Sequence, residues 1–142
     1  MKKKYLIFDL DGTLIDEQTK ELFPGVSDFI KKMSQWYTMF VSTRSSDEWA
    51  RERLKNAWIF DYFEVVMWSS VMEKWVKHIE VFEMVSESDS FDQKAVFIWD
   101  WEIDREIAYE GGLPFIKIWK EWKDRLEADS VLDIEELIKK AK

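Results

Sequence analysis

A three-layer α/β domain built on a parallel sheet is the fold class this sequence predicts, and three observations predict it. Five short apolar runs, at residues 5–8, 37–41, 63–67, 95–99 and 115–119, have the content of strands buried on both faces. Segments of helical length separate them, and strands alternating with helices call for parallel pairing through crossovers. Finally, Leu6-Ile7-Phe8-Asp9-Leu10-Asp11-Gly12-Thr13 runs an apolar strand straight into two carboxylates and a glycine turn. Open α/β sheets bind ligands at that carboxyl edge.

Each element has its own local signal. Behind the acidic pair, Pro24-Gly25 opens a helix over residues 26–35. After the second strand, Ser45 and Glu48 form the pattern of a capping box for a helix over 47–56. A helix over 71–85 follows the third strand, and the polar stretch 86–93 reads as a loop. Beyond the fourth strand, a helix over 104–110 closes at Gly111-Gly112, and Pro114 begins the fifth strand. A last helix over about 134–140 has Asp133 and Glu136 as its capping box. No internal repeat, low-complexity tract or second-domain linker interrupts the chain, so residues 1–142 read as a single domain.

Composition narrows the function. With 46% hydrophobic and 35% charged residues over 142 positions, the chain is large and apolar enough to bury a core. No run of eighteen apolar residues is present, and Asp9 and Asp11 interrupt the stretch behind Met1-Lys2-Lys3-Lys4 too early for a signal peptide. The expected setting is cytoplasmic. The absence of cysteine excludes disulfides, thiolate zinc sites and cysteine nucleophiles, and the single histidine, His78, excludes a multi-histidine zinc site. That leaves carboxylate, hydroxyl or lysine as nucleophile. A net charge of −8 argues against nucleic acid as partner and requires a local cation for any anionic substrate. Abundant Lys and Glu with one Asn are consistent with a thermophilic bias.

Three strand ends carry the residues of chemical interest. The first has Asp9 and Asp11, the second Ser42 and Thr43 followed by Arg44, and the fourth Asp100 with Asp104 one helical turn on. Lys74 or Lys77 could complete the set. Two acids one residue apart at such an edge suit covalent phosphoryl chemistry with a metal. His78 reads as a packing or surface residue. Of the nine Trp, Trp99, Trp101 and Trp68 fall near the expected site. Trp119 and Trp122, with Lys117, Lys120 and Lys123, read as a helix face packing its Trp inward, the alternative being an exposed aromatic-basic patch for a partner.

This set resembles the haloacid dehalogenase superfamily of phosphatases over nearly the whole chain. Asp9-Leu10-Asp11-Gly12-Thr13 is similar to the family's first motif, and Thr43 to the hydroxyl of its second, with Ser42 as the fallback. Phe23-Pro24-Gly25-Val26 and Asp61-Tyr62-Phe63 resemble flanking features of the family. Lys74 matches the third-motif lysine, with Lys77 as the alternative, and Asp100-Trp101-Glu102-Ile103-Asp104 the fourth motif's two acids. The resemblance implies a Rossmann-like sheet with strand order 5-4-1-2-3. It also implies a phosphomonoesterase in which Asp9 forms an aspartyl-phosphate and Asp11 is the general acid and base. A Mg²⁺ would be held by Asp9, Asp100 and the Asp11 carbonyl; Thr43 and Lys74 would bind phosphate, and Asp104 would orient the metal's surroundings. Asp11, as a proton donor, favours ester cleavage over dehalogenation.

The chain departs from the family pattern at Trp99 and Trp101, where many members carry Gly and Ser around the fourth-motif acid. The indoles could wall the substrate pocket or crowd the metal. With only about ten residues between Thr13 and Pro24, and no long insertion after the third strand, there is no room for a cap domain. A capless site suits a phosphorylated small molecule, an exposed phosphoester on a larger one, or a lid from a second subunit. Thr43-Arg44-Ser45 weakly echoes the magnesium-dependent phosphatase group. The competing expectations are a degenerate member that binds a phospho-ligand or partner without turnover, and a phosphotransferase.

Overall fold

The computed structural model describes residues 4–11, 13–16, 18–23, 25–43, 46–68, 75–87, 91–99, 115–118 and 127–128. Its elements in chain order are β1 (Tyr5–Phe8), α1 (Val26–Met33), β2 (Thr38–Thr43), α2 (Asp47–Asn56), β3 (Phe63–Trp68), α3 (Trp75–Ser86), α4 (Phe91–Lys94), β4 (Ala95–Trp99), β5 (Phe115–Ile118) and β6 (Glu127–Ala128). A 3₁₀ turn at Phe60–Tyr62 leads into β3. The strands form one sheet in the order β3-β2-β1-β4-β5-β6, parallel at every pairing. This is the expected α/β class with a parallel sheet, and β1 lies inside it, between β2 and β4.

Strand alternation divides the core into two layers. Leu6, Phe8, Met39 and Val41 pack with Val26, Phe29, Ile30 and Met33 of α1 and Ala50 and Leu54 of α2. Ile7 and Phe40 pack with Ile79 and Phe82 of α3 and Phe91 of α4. The second layer is aromatic: Phe40 stacks on Phe82 at 4.6 Å between ring centroids, and Tyr5 lies 5.0 Å from Phe91. Phe40 is fully buried, so Phe40→Ala should cost about 3–5 kcal/mol, the usual range for emptying a core aromatic site. Urea unfolding checks this; a loss below about 1 kcal/mol would contradict the packing.

Several boundaries differ from the sequence reading. The second and third strands run on to Thr43 and Trp68, because ladder pairing continues through Thr43 and Trp68. The α2 cap is Ser46, whose side chain accepts from the Trp49 backbone N–H at 3.3 Å, rather than Ser45. Gly25 caps α1 at φ 83°, a left-handed conformation that glycine adopts at little cost. The stretch 86–93 is not all loop: Ser86 ends α3, and Phe91 begins α4 because its ring is needed against Tyr5 and Phe40. A sixth strand, β6, pairs beyond β5. The helices expected over 104–110 and 134–140, with the Asp133 cap, and the Trp119–Trp122 stretch lie outside the described residues. No helix among the described residues is long and apolar enough to cross a membrane.

Candidate active site at the carboxyl edge of the sheet

The acidic pair sits where β1 leaves the sheet. The Asp9 N–H donates to the Ile98 carbonyl at 2.9 Å, so the β1–β4 ladder runs one residue past Phe8. The turn behind it is tight. The Leu10 carbonyl accepts from the N–H groups of Thr13, Leu14 and Ile15 at 3.3, 2.9 and 3.0 Å, which satisfies them without water. Leu10, Leu14 and Ile15 are buried and anchor this coil, leaving Asp9 and Asp11 half-buried at the edge. The following segment folds back on itself, with Asp16 N–H donating to Glu21 O at 2.8 Å and Phe23 N–H to Leu14 O at 3.0 Å. Thr13 is buried, and its Oγ1 has no hydrogen-bond partner among the described residues.

On one side of β1, β2 brings Ser42 and Thr43 to the same edge, both buried at 6% and 2% exposure. Their side chains alternate across the sheet. The Ser42 hydroxyl lies 2.7 Å from His78 Nδ1 on the α3 side, so Ser42 is engaged there and Thr43 is the hydroxyl on the opposite face. Thr43 pairs in register with Trp68, the last residue of β3, whose indole is 44% exposed. On the other side, β4 pairs with β1 and ends at Trp99; Asp100 comes next in the sequence. Asp100, Trp101, Asp104 and Lys74 lie outside the described residues, as do the side chains of Trp99 and Lys77.

His78 is a packing residue, the first of the two roles its sequence context allows, and its polar partners are what only the structure shows. It is 2% exposed and wedged against Phe82 at 6.4 Å, with its ring hydrogen-bonded both to Ser42 and to the Trp68 backbone. Burial holds its imidazole below the usual range, and donation to the Trp68 carbonyl offsets part of that. The ring's two polar partners are the Ser42 hydroxyl and the Trp68 backbone, and a neutral imidazole carries one donor and one acceptor to meet them. The unfolded chain takes up a proton near pH 6.5 that the folded chain refuses until a lower pH. Stability should therefore fall as pH drops from about 6.5 toward the lowered folded value, by at most about 1.4 kcal/mol per pH unit. Urea midpoints of wild type and His78→Gln across this window check it; a difference independent of pH would contradict it.

The fit to a divalent cation rests on donor chemistry. Asp9 and Asp11 offer hard oxygen ligands of the kind Mg²⁺ prefers, and Asp100 adds a third carboxylate directly after β4 in the sequence. Among the described residues, no three acidic or histidine side chains cluster as a metal site. A separate cavity of about 490 Å³ lies between the folded-back segment and α2, lined by Ile15, Lys20, Glu21, Trp49, Glu52 and Arg53 among others. None of the expected site residues lines it. The Arg53 guanidinium stacks 3.5 Å from the Trp49 ring centroid and donates from Nη1 to the Lys20 carbonyl at 2.8 Å. Lys20 and Arg53 balance Glu21 and Glu52, so the cavity exerts no net pull on an anion.

With this geometry, the comparisons with known proteins decide the family. A model of the haloacid dehalogenase-like hydrolases matches residues 17–118, well over half of the chain. The chain belongs to that family. No curated protein matches this hydrolase by sequence. Its fold is shared with the core domain of a Streptococcus pneumoniae protein assigned as a phosphoglycolate phosphatase. That pair aligns at TM-score 0.72 and 21% identity, covering 98% of this chain and 97% of that one. A Bacillus subtilis protein assigned as a hydrolase of the same family, solved bound to magnesium, aligns at TM-score 0.82 and 13% identity over 98% of this chain and all of that one. The L-2-haloacid dehalogenase of Xanthobacter autotrophicus aligns at TM-score 0.72 and 11% identity over 85% of this chain and 79% of that one. At these identities the likeness is one of fold, and the chemistry of this hydrolase has to be argued from its own residues.

Proposed function

We propose that this hydrolase is a Mg²⁺-dependent phosphomonoesterase working through Asp9. The observation that carries the reading is the acidic pair at the carboxyl edge of β1, flanked by Thr43 at the end of β2 and by β4, which Asp100 follows in the sequence. A carboxylate oxygen of Asp9 attacks phosphorus and forms an O–P bond as the ester P–O bond breaks, and Asp11 delivers a proton to the leaving oxygen. Water then attacks the aspartyl-phosphate, Asp11 takes its proton, and the Asp9–phosphorus bond breaks to release inorganic phosphate. Asp9, Asp100 and the Asp11 carbonyl would hold Mg²⁺, which supplies positive charge against the acids and the phosphate when bound. Thr43 donates to a phosphate oxygen, Lys74 neutralises developing charge, and Asp104 orients the metal's surroundings. Trp99 and Trp101 wall the substrate side.

Support comes from family membership and from the placement of Thr43 at the end of β2, on the sheet face opposite the Ser42–His78 hydrogen bond. A single domain whose sequence leaves no room for a cap would suit a small phosphorylated metabolite or an exposed phosphoester in the cytoplasm. Hydrolysis of p-nitrophenyl phosphate and of a panel including nucleotides, phosphosugars and 2-phosphoglycolate, with Mg²⁺ and with EDTA, tests the reading. Turnover that EDTA abolishes and Mg²⁺ restores is the expected result. No metal-dependent turnover on any ester would transfer the site to ligand binding without catalysis.

A further inference from the structure

His78 is a buried titratable group for which the proposed reaction has no use. Burying an imidazole costs free energy unless its polar groups are hydrogen-bonded, and here its partners are groups at the carboxyl edge of the sheet. Nδ1 lies 2.7 Å from Ser42 Oγ on β2, and the ring hydrogen-bonds the backbone of Trp68 on β3. Ser42 immediately precedes Thr43, and Trp68 is Thr43's register partner. The ring is thus a cross-brace between two strand ends, just beyond the point where Met67 and Ser42 pair. Strand ends are where ladder bonding runs out and backbone freedom rises. A donor to a transferring phosphoryl group must be held within a fraction of an ångström.

We propose that His78 is a positioning residue for phosphate binding, bracing the ends of β2 and β3 through Ser42 and Trp68 so that Thr43 is held where it donates to the phosphate. This rests on the phosphomonoesterase reading for its kinetic consequence, but not for its binding consequence. His78 touches no substrate itself. Its role requires one acceptor and one donor, not a charge, and glutamine carries the same pair on a side chain of similar reach. Leucine carries neither.

The test compares His78→Leu, His78→Gln and Ser42→Ala with wild type. Two quantities are read: kcat/KM on p-nitrophenyl phosphate, and affinity for inorganic phosphate by calorimetry with saturating Mg²⁺. His78→Leu should lower both, by roughly 10- to 100-fold, the scale of loss that an ångström of misplacement causes. The Mg²⁺ concentration for half-saturation should not move. His78→Gln should restore both to within about threefold of wild type, and Ser42→Ala should shift both in the direction of His78→Leu. If His78→Leu does not fold, Ser42→Ala with His78→Gln decides the matter. Phosphate affinity within twofold of wild type in His78→Leu, or in Ser42→Ala when the leucine variant is unfolded, overturns the proposal. So does a folded His78→Gln as impaired as the leucine variant. Wild-type protein that binds phosphate but turns over no ester would defeat the phosphomonoesterase reading alone, leaving the brace to be judged on phosphate affinity.

Discussion

Asp9→Asn should abolish metal-dependent ester hydrolysis, lowering kcat on p-nitrophenyl phosphate by roughly 10⁴-fold or more. At about 1.4 kcal/mol per decade, that is more than about 5 kcal/mol of lost transition-state stabilisation. The amide is nearly isosteric with the carboxylate, but its oxygen is a poor nucleophile and it carries no charge to share with a cation. Asp9 is half-buried at the end of a strand whose preceding residues are fully buried, so the swap changes the chemistry more than the packing. Its N–H bond to Ile98 is a backbone bond and survives. Initial rates at saturating Mg²⁺, beside urea midpoints within about 1 kcal/mol of wild type, check the prediction. A folded variant retaining a tenth of the rate would remove Asp9 as nucleophile.

The second large effect depends on the leaving group. Asp11→Asn should slow hydrolysis of alkyl phosphates by about 10²–10⁴-fold, because an alkoxide needs a proton as the P–O bond breaks. p-Nitrophenolate leaves without one, so its release should slow much less. The ratio of alkyl to aryl kcat/KM therefore falls in the variant, and an unchanged ratio would refute the acid role. The backbone at Asp11 also supports this assignment: it bridges to Ile15 in the coil held by the Leu10 carbonyl, so the side chain stands on an ordered turn. A proton shuttle on a loose loop would lose the geometry that makes such catalysis effective.

Much of this architecture was legible in the residues because local and global demands agree. Tyr5–Phe8 and Ala95–Trp99 are apolar runs that call for a strand covered on both faces, and in the sheet Leu6, Ile7, Phe8, Ala95, Val96 and Ile98 are buried. Asp47–Asn56 was legible as a helix, yet its cap was misplaced by one residue, because adjacent serines offer the same hydroxyl and only backbone conformation chooses between them. α4 was hidden because a polar composition outweighed Phe91, whose burial comes from Tyr5 and Phe40 far away in sequence. His78 reads as a packing residue and is one, but its hydrogen-bond partners are hidden for a similar reason. Its partner Ser42 lies 36 positions earlier, and no periodicity relates the two.

By itself, the sequence determined the α/β class, the chain position of the acidic pair and the narrow choice of nucleophile. Apolar patterning, punctuation by Gly and Pro, and the absence of cysteine are properties of the chain before it folds. Only the tertiary structure decided that β1 lies between β2 and β4, which brings β2, carrying Thr43, and β4 to either side of the strand that ends at Asp9. It alone showed that Ser42 meets a buried imidazole, because that contact is settled by which face of the sheet the residue occupies. The physical reason is the same in both cases. Short-range preferences set what each segment becomes, whereas pairing between distant strands and the need to satisfy a buried polar group set what each segment faces.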